Sequence, residues 1–227
     1  MMNFVIATRN RHKVEEIKAV LGEDHEYFTL ADFQDAPKVD EDRDTFAGNA
    51  SKKAIELGAW LCQRAHPPER LPLYVLADDS GLEVDALDGA PGVYSARFAA
   101  SDGGAAGNSS DAANNAKLLR LLGPAPAERR SARFHCVIAV VQVSAAWSSS
   151  GLPGEMRCVT QPDARCFDGV CEGRILFEPR GSAGFGYDPL FLPTGSERSF
   201  AELGEEVKNR ISHRAHALAK VRAALGA

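Results

Sequence analysis

The chain has 227 residues, of which 44% are hydrophobic and 25% are charged, and its formal net charge is −5. This composition predicts a folded globular protein with a substantial core, built as one large domain or as two closely joined lobes. The acidic balance argues against duplex nucleic acid as the main partner. The first apolar run, Phe4–Ala7, is too short for a signal peptide or a membrane helix, so no membrane association is expected.

The cysteines indicate the compartment. They are five in number and form no CxxC pair. Neither a disulfide framework nor a zinc site is therefore indicated. We interpret these residues as reduced thiols and expect a cytoplasmic protein.

The chain opens with a predicted strand, a polar loop and a helix. Phe4–Ala7 has the character of a buried strand, and apolar residues at helical spacing follow the polar stretch Thr8–Lys13. A helix N-terminus attracts anions through its free N–H groups and its dipole, and Lys13 adds a full positive charge. The loop lacks the glycines of a P-loop, so a capped helix start with solvated cations explains the same residues.

An acidic run, Asp40–Thr45, comes directly before the second predicted helix. The predicted buried face of that helix consists of Phe46, Ala50, Ala54, Leu57 and Leu61. Most of the run is explained by capping and by favourable interaction with the helix dipole. Lys53, two turns into the helix, is either a solvated surface lysine or a phosphate contact.

The stretch Val75–Leu82 is an apolar run that ends in two adjacent acids, Asp78 and Asp79, followed by Ser80 and Gly81. We expect a buried strand to give way to a loop here, because both carboxylates could then face one opening. A second strand is predicted at Leu82–Ala86. Adjacent carboxylates repel unless a cation joins them, and hard oxygen ligands suit Mg²⁺ or Mn²⁺. A self-capping turn explains the same stretch equally well.

Two stretches rich in small and polar residues, 100–113 and 145–162, are predicted to be flexible loops, the second as a hairpin excursion. Between them, Ala132–Val143 is predicted to be a long central strand. The stretch Gly181–Pro189 predicts a glycine-rich loop that can approach a ligand closely and stack an aromatic ring on a nucleobase. A tight turn with packed aromatic rings is the competing interpretation.

The C-terminal segment, Phe200–Leu225, is predicted to be largely helical. Lys208, His213 and Arg214 lie at or near a bend or a helix start within it. Taken alone, these basic residues would usually belong to a solvated face.

Four motifs together resemble the Ham1-type inosine/xanthosine triphosphate pyrophosphatase family. They are Ala-Asp-Asp-Ser-Gly-Leu, Gly-Ala-Pro-Gly-Val-Tyr-Ser-Ala-Arg-Phe, Gly-Phe-Gly-Tyr-Asp-Pro and Ile-Ser-His-Arg. The resemblance implies an elongated two-lobed α/β fold over residues 1–227, with a central mixed β-sheet flanked by helices and a cleft between the lobes. It also implies a homodimer that depends on Mg²⁺, with Mn²⁺ as a substitute. The implied reaction hydrolyses noncanonical purine nucleoside triphosphates, such as dITP, ITP and XTP, to the monophosphate and pyrophosphate.

The resemblance also implies roles for individual residues. Asp79 is similar to the family's general base and metal ligand, and Glu41 and Asp78 match the other acidic positions of the metal site. The remaining matching positions imply substrate contacts, and they are Thr8, Arg9, Asn10, Arg11, His12, Lys13, Lys53, Ser80, Phe185, Gly186, Tyr187, Asp188, Lys208, His213 and Arg214.

The implied base preference has a chemical reason. Arginine carries hydrogen-bond donors and no acceptor. Arg214, together with His213, would therefore favour a 6-keto purine over the 6-amino group of adenosine, because a site that leaves a buried polar group unpaired discriminates strongly.

The chain departs from the family pattern at two positions near the acidic run. Arg43 stands where glycine is common, and Gly48 stands where glutamate usually precedes Asn-Ala. Two other functions are considered. A Maf-like pyrophosphatase would typically open with a Ser-Pro-Arg-Arg loop, which differs from Thr8–Lys13. A non-catalytic nucleotide-binding module would be expected to lack the acids that this chain retains.

Overall fold

The computed structural model describes residues 1–33, 35–63, 72–100, 107–147 and 156–226. The helices in this part of the chain are α1 (Arg11–Leu21), α2 (Phe46–Gln63), α3 (Asp111–Leu122), α4 (Phe200–Ile211) and α5 (His213–Leu225). The strands are β1 (Asn3–Ile6), β2 (Glu26–Thr29), β3 (Leu73–Val84), β4 (Ser131–Trp147), β5 (Met156–Thr160), β6 (Arg165–Ile175) and β7 (Phe191–Pro193).

The seven strands form one mixed sheet. Six of them follow the order β2-β1-β3-β4-β6-β7, and β5 pairs with β4. β1 runs parallel to both β2 and β3, whereas the β4–β5 and β6–β7 pairs are antiparallel. The α/β class and the mixed sheet flanked by helices are thereby confirmed.

The chain divides into two compact units. Unit 1 consists of Met1–Asp79, Val137–Phe167 and Leu218–Ala227, and unit 2 consists of Ser80–Cys136 and Asp168–Ala217. The divisions fall inside β3, β4, β6 and α5. The organisation as a single domain of two lobes stays a prediction.

Unit 1 begins as the sequence predicts, with a buried strand, a polar loop and a helix. The apolar residues of β1 are fully buried, as expected for a strand with a parallel neighbour on each side. The side-chain oxygen of Asn10 accepts hydrogen bonds from the N–H groups of His12 and Lys13, at 3.0 and 3.3 Å, and so caps α1. Thr45 Oγ1 accepts the N–H of Gly48 in the first turn of α2, and the predicted buried face of this helix is confirmed.

β3 corrects the expected loop at the acidic pair. The strand runs without a break from Leu73 to Val84, so Leu82–Ala86 is not a separate strand and the turn interpretation is wrong. Asp78 and Asp79 lie inside the strand and are 2% and 5% exposed. Consecutive strand residues point to opposite faces, so the two carboxylates are separated rather than directed into one opening.

The two predicted loops are shorter than expected. In the first, α3 already begins at Asp111, where Ser110 Oγ accepts the N–H of Ala113, and residues 101–106 lie outside the described residues. In the second, β4 continues to Trp147 and pairs with β5, so the predicted hairpin is formed by strands at both of its ends. The residues between those strands, 148–155, lie outside the described residues.

Unit 2 has an aromatic core that contacts the start of α5 at His213. The rings of Phe134, Phe191 and Phe200 pack together, with centroids 4.6–6.0 Å apart. α4 ends at Ile211, and the extended backbone of Ser212 lets a new helix begin at His213. The predicted bend between the basic residues is confirmed.

Two further observations concern the whole described chain. All five cysteines are free thiols. Among the helices in the described ranges, none has both the length and the apolar character needed to cross a membrane.

Gly169 permits a close backbone approach between β6 and the start of α5. A Cβ added at this position would lie 2.1 Å from the carbonyl oxygen of His213 and 2.4 Å from the nitrogen of Ala217. We expect Gly169→Ala to lower the free energy of unfolding by about 3 kcal/mol, because backbone atoms must move apart. Denaturant titration measures this change.

Gly89→Ala is the control for Gly169→Ala. Gly89 has φ +85° and open space around the added Cβ, so the variant carries only left-handed strain of about 1 kcal/mol. Equal losses in the two variants would contradict the assigned close approach.

Candidate active site

Lys53 joins acidic groups from two other segments of unit 1. Its Nζ lies 2.5 Å from Glu41 Oε1 and 2.7 Å from the backbone oxygen of Asp78. The same atom is 3.8 Å from Asp79 Oδ1. The Lys53 side chain is only 12% exposed, so these charges interact in a partly desolvated setting. The structure therefore brings together the predicted phosphate contact and two of the predicted metal ligands.

Asp78 has a different lysine. Lys13, in the first turn of α1, donates a hydrogen bond from Nζ to Asp78 Oδ1, and the Asp78 side chain is fully buried. Each acid of the adjacent pair thus has its own cation, which offsets the cost of burying two carboxylates in one strand. A metal-binding role for Asp78 stays a prediction.

The rest of the first predicted substrate loop makes local contacts. Arg9 donates from Nη2 to the backbone oxygen of Ala36 at 3.2 Å, and Arg11 and His12 both lie beside Glu15. Thr8 Oγ1 accepts the N–H of Asn10 at 3.2 Å. Of the six loop residues, the structure brings Lys13 to the acidic pair. Substrate contacts by the other five stay predictions.

Asn49 is a buried polar residue of this cluster that the sequence interpretation missed. Its side chain accepts the N–H of Arg43 at 2.9 Å and donates to the carbonyl oxygen of Arg43 at 3.2 Å, which pins the acidic run to α2. It is also hydrogen bonded to Asp79 and is 1% exposed. A buried amide on the apolar face of a helix was the available signal, because such a group needs hydrogen-bond partners.

Asp79 is the most perturbed carboxyl group of this cluster. Burial raises the pKa of Asp79 from its ordinary value of 3.8 to about 6, although Lys53 and Lys13 oppose the shift. The Glu41 charge raises the pKa further, and the hydrogen bond from Asn49 lowers it. One buried oxygen, Asp79 Oδ2, has no hydrogen-bond partner among the described residues. A buried carboxylate oxygen in this state is a suitable ligand for a cation.

The acids fit a metal that is shared with a substrate. Within the described ranges, no group of three or more His, Cys, Asp or Glu side chains is arranged to hold a metal ion alone. Mg²⁺ commonly uses only one or two protein carboxylates and completes its coordination with water and substrate phosphates. Glu41 and Asp79, with the unsatisfied Asp79 Oδ2, match that pattern.

The two departures from the family pattern are in contact with each other. A Cβ added to Gly48 would lie 2.9 Å from Cβ of Arg43 and 3.0 Å from Oγ1 of Thr45. Glycine at position 48 therefore makes room for the side chain at position 43.

Unit 2 holds the glycine-rich loop through a buried ion pair. Asp188 Oδ2 accepts the N–H of Phe185 at 2.9 Å and a hydrogen bond from Lys208 Nζ at 2.6 Å. Both charged side chains are almost fully buried, at 2% and 3% exposure. The Lys208 ammonium lies 4.4 Å from the centre of the Phe185 ring. Gly184 is required beside this pair, because an added Cβ would lie 2.2 Å from Asp188 Oδ2.

The start of α5 contributes the remaining predicted base contacts. Arg214 donates from Nη2 to Ser80 Oγ at 2.9 Å, and its guanidinium carbon is 5.9 Å from the centre of the Phe185 ring. The imidazole of His213 stacks on Phe134, with centroids 4.8 Å apart. The structure thus gathers Ser80, Phe185 and Arg214 from three distant segments of the sequence.

The Asp79 pKa predicts how the stability of the metal-free protein depends on pH. A carboxyl group with a folded-state pKa above its unfolded-state value stabilises the fold while protonated, and this contribution disappears as the pH rises through the folded-state pKa. We expect the free energy of unfolding to fall between pH 4 and pH 8 by up to about 3 kcal/mol from this group. Asp79→Asn should remove that part of the pH dependence and be more stable than the wild type at pH 8.

Denaturant titrations in the presence of a chelator at pH 4, 6 and 8 test this expectation. Asp88→Asn is the matched control, because Asp88 is exposed in a turn and lies outside the acidic cluster. A pH profile of Asp79→Asn that runs parallel to the wild-type profile would refute the assigned burial effect.

Comparisons with known proteins identify relatives of the whole chain. The dITP/XTP pyrophosphatase of Exiguobacterium sibiricum is 45% identical over 225 residues, which are 99% of this chain and 97% of the relative. That of Geobacter sulfurreducens is also 45% identical, over 100% of this chain and 98% of the relative.

Two solved structures have the same fold. A HAM1 protein from Coxiella burnetii has a TM-score of 0.74 at 35% identity, covering 100% of this chain and 99% of its own. A nucleoside-triphosphatase / dITP/XTP pyrophosphatase from Mycobacterium abscessus has a TM-score of 0.63 at 37% identity, covering 97% and 98%. The Ham1 family matches residues 4–224. The resemblance found in the four motifs is therefore confirmed, and the chain belongs to the Ham1 family.

Proposed function

We propose that this protein hydrolyses noncanonical purine nucleoside triphosphates, with dITP, ITP and XTP as substrates, to the nucleoside monophosphate and pyrophosphate. The family membership and the dITP/XTP pyrophosphatases that match almost the whole chain support this activity. The observation that carries the proposal is the cluster of Glu41, Asp79 and Lys53, in which two acids and a lysine meet beside an unsatisfied carboxylate oxygen.

The phosphate end of the reaction is assigned to unit 1. Mg²⁺ held by Glu41 and Asp79, with Mn²⁺ as a substitute, would screen the triphosphate charge and stabilise the leaving pyrophosphate. Lys13 and Lys53 supply fixed positive charge for the phosphate oxygens. Their present carboxylate partners hold both ammonium groups in place before a substrate arrives.

Asp79 is assigned as the group that takes the proton from the attacking water. A general base needs a free acceptor atom that can reach the water, and Asp79 Oδ2 is a buried acceptor without a hydrogen-bond partner among the described residues. Oxygen from the water joins the α-phosphorus, and the bond from that phosphorus to the bridging oxygen breaks. Asp79 receives the water proton, and pyrophosphate leaves.

The base end is assigned to unit 2. The Phe185 ring is half-buried and could stack on a base, and the guanidinium of Arg214 is a donor group without acceptors. Ser80 Oγ accepts a hydrogen bond from one guanidinium nitrogen of Arg214, so the orientation of the guanidinium group is fixed before the substrate binds. A 6-keto oxygen satisfies such a donor, whereas a 6-amino group leaves it unpaired. Lys208 supports the ring from the buried side.

The oligomeric state and the location belong to the same proposal. We infer a homodimer in the cytoplasm from the family resemblance and from the free cysteines. Size-exclusion chromatography with light scattering tests the dimer, and a monomer at micromolar concentration would contradict it.

Asp79→Asn tests the phosphate end. We expect kcat for dITP in the presence of Mg²⁺ to fall by about 10²- to 10⁴-fold, because the proton acceptor and one metal ligand are both weakened. The assay separates pyrophosphate from orthophosphate. Asp88→Asn removes one exposed acid and should keep the wild-type rate. An unchanged rate in Asp79→Asn, or release of orthophosphate by the wild type, would overturn the assignment.

Arg214→Met tests the base end. The variant keeps the length of an apolar stem and loses the donors, so kcat/KM for dITP should fall about 10- to 100-fold while the value for dATP changes little. Arg222→Met is the control, because Arg222 is exposed on the same helix. An equal loss for both nucleotides would indicate damage to the fold rather than loss of base selection.

A further inference from the structure

Two side chains of α3 hold the backbone on both sides of one residue of the glycine-rich loop, Gly186. Asp111 Oδ2 accepts the N–H of Gly186 at 2.7 Å, and Asn115 Nδ2 donates to the carbonyl oxygen of Gly186 at 3.0 Å. The two residues are four apart in the helix, so they lie one turn from each other on the same face. One is an acceptor and the other a donor, which matches the two polar groups of Gly186.

Gly186 needs such support because of its conformation. It has φ +64°, a left-handed value that glycine adopts readily, but a flexible glycine fixes no direction by itself. The neighbours on either side, Phe185 and Tyr187, point to different places. Phe185 belongs to the proposed base contacts, whereas Tyr187 is buried and donates its hydroxyl to the carbonyl oxygen of Ser95 at 2.9 Å. The N–H of Gly186 belongs to the peptide that follows Phe185. Its hydrogen bond to Asp111 therefore constrains where the Phe185 ring lies, together with the hydrogen bond from the Phe185 N–H to Asp188.

Packing does not fill the space between α3 and the loop. A cavity of about 470 Å³ is lined by Ala112, Ala116 and Leu119 of the helix and by loop residues that include Gly181 and Ala183. Asp111, Asn115 and Gly186 themselves line this cavity, so both hydrogen bonds lie at its wall. Asn115 even leaves its Oδ1 buried without a hydrogen-bond partner among the described residues. A buried acceptor without a partner lowers the stability of the fold, so stability alone does not explain this side chain. Its Nδ2 group, and not its Oδ1 atom, faces Gly186.

We propose that Asp111 and Asn115 are positioning residues that clamp Gly186 and thereby hold Phe185 in place for purine recognition. The inference rests on the proposed function, because it assigns a purpose to the loop that would contact the base. It adds two residues from a helix that none of the four family motifs includes. Because Asp111 is exposed, its contact adds little to global stability, and its effect should appear in substrate binding.

The test measures kinetics and loop dynamics in the same variants. Asp111→Ala and Asn115→Ala should each raise KM for dITP about 3- to 10-fold, as expected for the loss of one hydrogen bond, with kcat within about twofold of the wild type. Without substrate, amide hydrogen exchange in residues 181–188 should become faster in both variants. Thermal unfolding should change little for Asp111→Ala.

Conservative variants separate a clamp from other roles of the same residues. Asp111→Asn keeps an acceptor oxygen, so it should restore most of the wild-type KM. If the negative charge at the start of α3 were what mattered, Asp111→Asn would behave like Asp111→Ala. Asn115→Asp places a carboxylate against the carbonyl oxygen of Gly186 and should be worse than Asn115→Ala.

Asp32→Ala is the matched control. Asp32 is also exposed and also accepts a backbone N–H at 2.7 Å, that of Thr29, in unit 1. It should leave KM and the exchange of residues 181–188 unchanged.

The outcomes are distinguishable. Unchanged exchange, unchanged KM, or failure of Asp111→Asn to restore KM would each overturn the clamp, while release of pyrophosphate from dITP by the wild type would leave the proposed function standing. A wild type that does not release pyrophosphate from dITP would refute the proposed function, and the exchange measurements would then decide the clamp alone.

Discussion

The contact between Lys53 and its surrounding oxygens is the interaction on which the acidic site depends. Asp79 lies in β3 and is only 5% exposed to solvent, and Glu41 adds a second negative charge nearby. Without a cation, such an arrangement would favour proton uptake or separation of the two acids. Lys53 Nζ holds Glu41 and the backbone of Asp78 and remains within 4 Å of Asp79. The lysine keeps the acids assembled, and the remaining unsatisfied oxygen keeps the cluster receptive to a further cation.

Much of this arrangement could be predicted from sequence, because local pattern and local chemistry agree. The buried face of α2, the capped start of α1 and the bend before His213 all follow from spacing and side-chain type. The acidic pair was harder, since Asp-Asp-Ser-Gly has the composition of a turn. Its place inside β3 depends on Lys13 and Lys53, which arrive from two helices. No local sequence pattern predicts that a lysine from another element will lie beside each of the two acids of the strand.

The glycine-rich loop shows a second limit of the sequence. The motif identifies Phe185 and Asp188, and the structure adds the Lys208 ion pair as expected for buried charges. The motif does not reveal that Asp111 and Asn115, about 70 residues earlier, reach the same loop. A pair of short polar side chains near a helix start is usually explained by capping. Only the tertiary arrangement shows that these two point away from their own helix and towards a neighbouring backbone.

The tight fit between positions 43 and 48 has a consequence for how this chain could have diverged. The space beside the start of α2 accommodates one β-carbon, and Arg43 fills it here because position 48 is glycine. A side chain at position 48 would therefore require Arg43 or Thr45 to shift. The sizes of the residues at 43 and 48 are coupled, so an exchange at one position changes which residues the other can accommodate.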